Sequence, residues 1–164
     1  MSVDRVDKAT EQWARERPDL DGLDAMATFG RLARLVALAG PAIDTGLEPH
    51  GLKVGEFDVL ACLRRAGEPF ELTPTALVGE LLLSSGAMTN RLDGLENRGL
   101  LRRRPDPSDR RGVLVGLTDD GRNLIDRAVE SHVANEQRIL SVLGTRDRAA
   151  LDRAVRALVE SLEN

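Results

Sequence analysis

Cysteine and aromatic residues are nearly missing from this chain: 164 residues hold one cysteine, one tryptophan, three phenylalanines and no tyrosine. A single thiol, Cys62, excludes an intrachain disulfide, and with only His50 and His132 beside it the chain lacks a convincing zinc set. The motifs HExxH, GxxxxGK[ST], GxGxxG and GxSxG are all absent, and neither histidine stands near a plausible nucleophile, so no catalytic residue, metal or cofactor is expected. The first residues, MSVDRVDKATEQW, carry no apolar stretch of the kind a signal peptide needs. No apolar run approaches the roughly 18 residues that span a bilayer, and a cytoplasmic location without membrane partners is the expectation. No linker, repeat or low-complexity segment divides the sequence, which reads as one domain over residues 1–164.

The overall charge is unhelpful at first sight. A net charge of -4 and a pI near 5.3 argue against a partner that is a polyanion. The charge is uneven, however. Between Ser84 and Gly112 seven arginines face four acidic residues, a local excess of three on an otherwise acidic body.

That stretch carries the strongest pattern in the chain. Ser84 is placed to cap a helix whose apolar positions Ala87, Met88, Leu92 and Leu95 recur at helical spacing, and Gly99 suits a left-handed stop. The other face of this helix is polar, with Ser85, Thr89, Asn90, Asp93 and Glu96. Just upstream, Thr73-Pro74 starts a shorter helix through Ala76, Leu77 and Leu81, and the tight Leu83-Ser84 junction makes the pair a helix-turn-helix. Leu101 to Arg104 and Val113 to Leu117 read as strands, the second alternating Val113, Val115 and Leu117 against Leu114 and Gly116. Pro105-Asp106-Pro107-Ser108 interrupts regular structure between them. A recognition helix followed by a basic hairpin is a winged helix-turn-helix, and it points to double-stranded DNA.

Long helical patterns flank this region. Leu23, Met26, Leu32, Leu35, Val36, Ala39 and Ile43 share one side of a segment that Pro41 is placed to kink, and Glu56 to Arg65 forms another helix with Phe57, Leu60, Ala61 and Leu63. Downstream, Ile125, Val129, His132, Val133, Ile139, Leu140 and Leu143 form one seam. A second, Leu151, Ala154, Val155, Leu158, Val159 and Leu162, follows a Thr145 cap. These helices carry more apolar surface than a small winged domain covers, so the first and last are expected to pack against each other and against a second copy. A homodimer doubles the recognition helix and implies a palindromic site with half-sites about one helical turn apart.

The helix-turn-helix, the wing motif Asp109-Arg110-Arg111, and Leu117-Thr118 with Gly121 resemble the MarR family of bacterial transcriptional regulators over nearly the whole chain. The resemblance implies an α+β, mostly α, winged-helix homodimer in which 1–50 and 122–164 dimerise and 51–121 binds DNA. It further implies a repressor whose DNA affinity falls when a small ligand binds between the two regions. The wing arginine, Arg111 here, enters the minor groove in most members, with Asp109 helping to hold it. A narrow minor groove attracts arginine, while Ser85, Thr89 and Asn90 are short donors suited to phosphates and base edges. Gly94 stands where relatives commonly carry a basic residue, which throws base readout onto Asn90 and Arg91.

A narrower resemblance concerns the effector. An additional N-terminal helix with Trp13, together with Asp58, Arg91 and Arg103, looks like the set proposed to bind urate in the urate-responsive branch. Urate is a planar purine anion that an indole can stack on and guanidinium groups can fork. Val36 aligns where some urate-responsive members have a histidine, which leaves another aromatic or carboxylate anion open. A constitutive DNA-binding protein without effector would give Trp13 and Asp58 no functional role, and an interaction module would be a monomer on its own. Certain relatives sense peroxide through a cysteine beside tyrosines. Cys62, in the apolar run VLACL, reads instead as a structural thiol, and the histidines as a surface turn residue (His50) and a seam residue (His132).

Overall fold

The computed structural model describes residues 4–82 and 84–163, which form seven α-helices and three short strands in two compact units, Met1–Ala42 and Ile43–Asn164. Leu83, one side of the expected tight junction, lies outside the described residues.

The first unit begins with α1 (Arg5–Glu16), capped by Asp4, whose carboxylate accepts from the Val6 and Asp7 amides while Asp7 accepts in return from the Asp4 amide. Two reciprocal bonds satisfy donors that the first turn otherwise leaves open. Arg31 binds both carboxylates from α2 (Leu23–Leu47), at 3.0 Å from Asp4 and closely to Asp7. Pro41, the residue placed to kink it, lies inside this helix. Its apolar side is uncovered, with Phe29, Leu35, Val36 and Leu38 each more than half exposed. No uninterrupted apolar run reaches 18 residues, yet by length and composition Leu23–His50 is apolar enough to cross a membrane, with an 18-residue window of mean hydropathy 1.2, 6% of it buried. Arg31 and Arg34 interrupt an otherwise largely aliphatic stretch, which is why its mean is apolar although its runs are short.

The second unit holds the winged region. Helix α3 (Val54–Arg65) buries Phe57, Val59, Leu60, Cys62 and Leu63. Thr73 caps α4 (Pro74–Leu81), its hydroxyl accepting from the Ala76 amide at 3.2 Å, and Ser84 caps α5 (Ser85–Asn97) through Ala87 at 3.3 Å. Leu77, Met88, Leu92 and Leu95 of this pair are buried in one core with Leu47, Leu60, Leu63, Val115 and Ile125. The wing is β2 (Leu101–Pro105) paired antiparallel with β3 (Val113–Leu117), Arg103 opposite Val115. A strand absent from the sequence reading, β1 (Glu71–Leu72), pairs with the other edge of β3, giving the order β1-β3-β2. As the central strand, β3 departs from strict alternation: Val115, Gly116 and Leu117 are all buried, whereas Val113 near the tip is exposed.

Helix α6 (Asp119–Ile139) is joined to the base of the wing by Thr118. Its hydroxyl donates to the Gly99 carbonyl at 2.7 Å and accepts from the Gly121 amide at 3.0 Å. A β-carbon on Gly121 would overlap the Leu100 carbonyl oxygen, so the Leu-Thr-x-x-Gly pattern is a capped helix start pressed onto the first wing residues. Helix α7 (Thr145–Glu163) starts at Thr145 itself, one residue earlier than the expected cap allows, with the Gly144 carbonyl accepting from the Arg148 amide. None of its residues is buried, and Leu151, Val155, Leu158, Val159 and Leu162 form an exposed seam.

Candidate nucleic-acid interface and effector site

On α5, Ser85, Thr89 and Asn90 are exposed, opposite the buried Met88, Leu92 and Leu95. The wing tip is closed by its own side chains. Asp106 accepts from the Ser108 amide and hydroxyl at 2.8 and 2.7 Å, and these bonds hold its carboxyl below the usual range. Asp109 accepts from the Arg111 amide at 3.0 Å. Asp109 therefore shapes the backbone that presents Arg111 rather than pairing with its guanidinium. Arg110 and Arg111 are exposed and, among the described residues, without an ion pair.

Most other arginines of the basic stretch are held internally. Arg98 bonds the Gly51 carbonyl at 3.0 Å and Glu56 at 3.2 Å. Arg103, at the start of the wing, reaches back to the recognition helix, pairing with Asp93 at 2.7 Å and closely with Glu96. Arg104 forks onto Glu71 of β1 at 3.0 and 2.5 Å, with Arg102 at 3.6 Å from the same carboxylate. Glu71 is nearly buried, and Arg104 holds its carboxyl below the usual range. Sequence reading missed Glu71 because its strand is two residues long and its partners lie more than 30 positions away.

Arg91 behaves differently. It leaves α5 toward α3, and its guanidinium lies against Gly55, so that a β-carbon there would stand 2.6 Å from Nη2 and 2.7 Å from Nε. It is partly buried, and among the described residues no hydrogen bond or ion pair is formed by its side chain. Three residues along α3, burial pushes the Asp58 carboxyl above its usual range, against the pull of the charges on Arg91, His132 and Arg65. Asp58 lines an open pocket of about 590 Å³ between α3 and α6 with Phe57, Ala61, Arg64, Arg65, Val129, His132 and Val133.

His132, read as a seam residue, stacks on Phe57 with ring centroids 4.4 Å apart and approaches Glu136 at 3.3 Å through Nε2. Its Nδ1 is buried without a partner among the described residues. The sequence held one signal for it, a histidine on an apolar seam. His50 is less superficial than expected, ending a short helical turn with Nε2 2.8 Å from the Ser131 hydroxyl.

Of the four residues expected to bind an effector, Asp58 and Arg91 are electrostatic neighbours, while Arg103 is occupied by its two carboxylates on α5. Trp13 belongs to the first unit, where it is half exposed and lines a groove of about 280 Å³ with Arg5, Val6, Thr10, Met26, Gly30 and Arg34. Cys62 is buried, and burial pushes its thiol upward.

Residues 50–112 match the model of the MarR family. Along its length, the chain is 42% identical over 160 residues to the HTH-type transcriptional regulator PecS of Dickeya dadantii, covering 95% of this chain and 96% of PecS. It belongs to the MarR family. It is also 33% identical over 120 residues to the regulator MhqR of Bacillus subtilis, covering 73% of this chain and 80% of MhqR. Among solved structures, mutant MarR from E. coli complexed with operator DNA superposes with a TM-score of 0.72 at 28% identity, covering 85% of this chain and 99% of that one. AbsC, a MarR family regulator from Streptomyces coelicolor, reaches 0.76 at 26% identity, covering 88% and 97%. The chain is thus a DNA-binding transcriptional regulator of the MarR family and not an enzyme.

Proposed function

We propose that this MarR-family regulator is a cytoplasmic repressor that binds an inverted-repeat operator as a homodimer and is released by a small planar anion, with urate as the first candidate. The observation that carries the effector reading is Arg91, a partly buried guanidinium on the recognition helix with no hydrogen bond or ion pair among the described residues, and an electrostatic neighbour of Asp58, which lines a pocket. Guanidinium offers five donors in a plane, and a buried one without acceptors favours an anion that supplies them. Asp58 orients the arginine or answers the charge the ligand brings. Trp13 supplies an indole face for the purine ring, and Arg103 responds by exchanging a carboxylate for the ligand. A coupling of about 1 to 3 kcal/mol between ligand and DNA lowers operator affinity roughly five- to 150-fold.

On the DNA side, Ser85, Thr89, Asn90 and Arg91 serve the major groove while Arg110 and Arg111, set by Asp109, serve the minor groove. Residues 1–50 and 122–164 dimerise, for which the uncovered faces of α2 and α7 give the physical reason.

The test is a thermal shift with urate, xanthine, salicylate and citrate, followed by competition with an operator selected from random DNA. A ligand present at about 100 times its Kd stabilises the native state by roughly 2.7 kcal/mol. A shift with urate that disappears in Trp13→Phe and Asp58→Ala supports the site. A shift with salicylate or citrate alone keeps the regulator and replaces its signal, and no shift with any of them removes the effector reading.

A further inference from the structure

What holds Arg91 in place is a missing atom. The other arginines that pair internally, at the end of α5 and on the wing strands, are held by carboxylates: Arg98 by Glu56, Arg102 and Arg104 by Glu71, Arg103 by Asp93 and Glu96. Arg91 instead fills the volume that any side chain at position 55 would need, its Nη2 and Nε standing 2.6 and 2.7 Å from the place of an absent β-carbon. The first turn of a helix carries partial positive charge and does not invite a cation. Asp58, three residues along α3, feels the Arg91 charge through space, without a hydrogen bond among the described residues. The seat is made sterically and is weak electrostatically.

We infer that Gly55 is the positioning residue of the effector response: by lacking a side chain it parks the Arg91 guanidinium, donors unpaired among the described residues, on α3 beside Asp58, where an incoming anion captures it and moves the recognition helix. The inference rests on the reading of Arg91 as a ligand residue. It explains why, among the described residues, its donors find no acceptor in a partly buried place: the arginine is preorganised for a partner that is not part of the chain, and preorganisation lowers the cost of binding. A side chain at position 55 would send the guanidinium off α3, leaving the ligand to collect a free-swinging arginine.

Gly55→Ala tests this cleanly. Alanine is the better helix former, and the atoms it meets are the far end of a flexible side chain, so the fold is retained. Gly79→Ala is the control, because that glycine, on α4 and off the recognition helix, has nothing within 4 Å of its β-carbon position. Two measurements on the full-length protein decide the matter. The first is the rate at which phenylglyoxal modifies Arg91 without ligand, followed by peptide mass spectrometry. It is expected to rise several-fold in Gly55→Ala and to stay at the wild-type value in Gly79→Ala. The second is the urate concentration that half-releases operator DNA, expected to rise about tenfold in Gly55→Ala and not in the control. Equal labelling of Arg91 in wild type and Gly55→Ala overturns the seat whatever urate does. Faster labelling with an unmoved urate midpoint overturns its part in the response. Should urate fail to release wild-type protein, the urate reading falls, and labelling alone decides whether Gly55 seats Arg91.

Discussion

Replacing Glu71 by Gln should destabilise the winged region by an amount that the geometry sets. The Glu71 side chain is 5% exposed and accepts two hydrogen bonds from Arg104, at 3.0 and 2.5 Å, while the Arg104 side chain is 42% exposed. A hydrogen bond to a charged group nets about 1.5 to 3 kcal/mol, and an exposed ion pair much less. With one end of this pair buried and the other wet, and with glutamine still able to accept one bond, the expected loss is about 2 kcal/mol. In a chain of this size each kcal/mol moves the melting midpoint by roughly 2 to 4 °C, so the variant should melt about 4 to 8 °C lower at neutral pH. Because Arg104 holds the folded carboxyl below its unfolded value, the contribution is complete above the ordinary glutamate range and is lost as pH falls through the folded value. The gap between wild type and variant should therefore close in acid. Calorimetry at matched protomer concentration from neutral pH downward measures both effects. A Glu71→Gln protein as stable as wild type at pH 7, or a gap that does not change with pH, would refute the reasoning.

Arg111→Ala should weaken binding to all DNA sequences alike and reduce the slope of log affinity against log salt by about one, read from titrations at several salt concentrations; an unchanged slope means that this arginine does not meet phosphate. Asp58→Asn should raise stability at neutral pH and lose that advantage in acid, because burial raises the folded carboxyl and its ionisation opposes folding as pH rises through the raised value. Denaturant midpoints at pH 7 and pH 3.5 check the sign. Leu82→Gly should stabilise the protein by about 1 kcal/mol, since Leu82 ends α4 in the left-handed region with φ 50 and is 92% exposed. Cys62→Ser should leave DNA binding unchanged before and after peroxide treatment, and loss of a peroxide response in that variant would revive redox sensing.

The winged region was legible because its signals are local. Thr73-Pro74, Ser84 and Gly99 act within one turn of where they stand, and all three take the roles their chemistry assigns. Strand β1 was not legible: two residues carry no periodicity, and only pairing with β3 makes them a strand. The same limit governs charge. Counting Ser84 to Gly112 finds an excess of arginine, but Glu56 and Glu71 lie outside that window and neutralise Arg98, Arg102 and Arg104 in space. For the candidate site, residue types were readable while contacts were not. Arg103 turned out to be committed to α5, and the surroundings of Arg91 depend on a glycine that in sequence is one more helix position.

The junction at Gly121 makes α6 a lever. Pressed on the Leu100 carbonyl and stitched by Thr118 to Gly99, the helix start and the foot of the wing form one rigid piece. From that fulcrum 21 residues run to Ile139, an arm of about 32 Å at 1.5 Å per residue. A sideways shift of about 2 Å at the far end, the size helices make at subunit interfaces, turns the fulcrum by about 4°. The foot of the wing, bonded to the helix start, turns with it, and the angle at which Arg110 and Arg111 are offered is set from the other end of the arm.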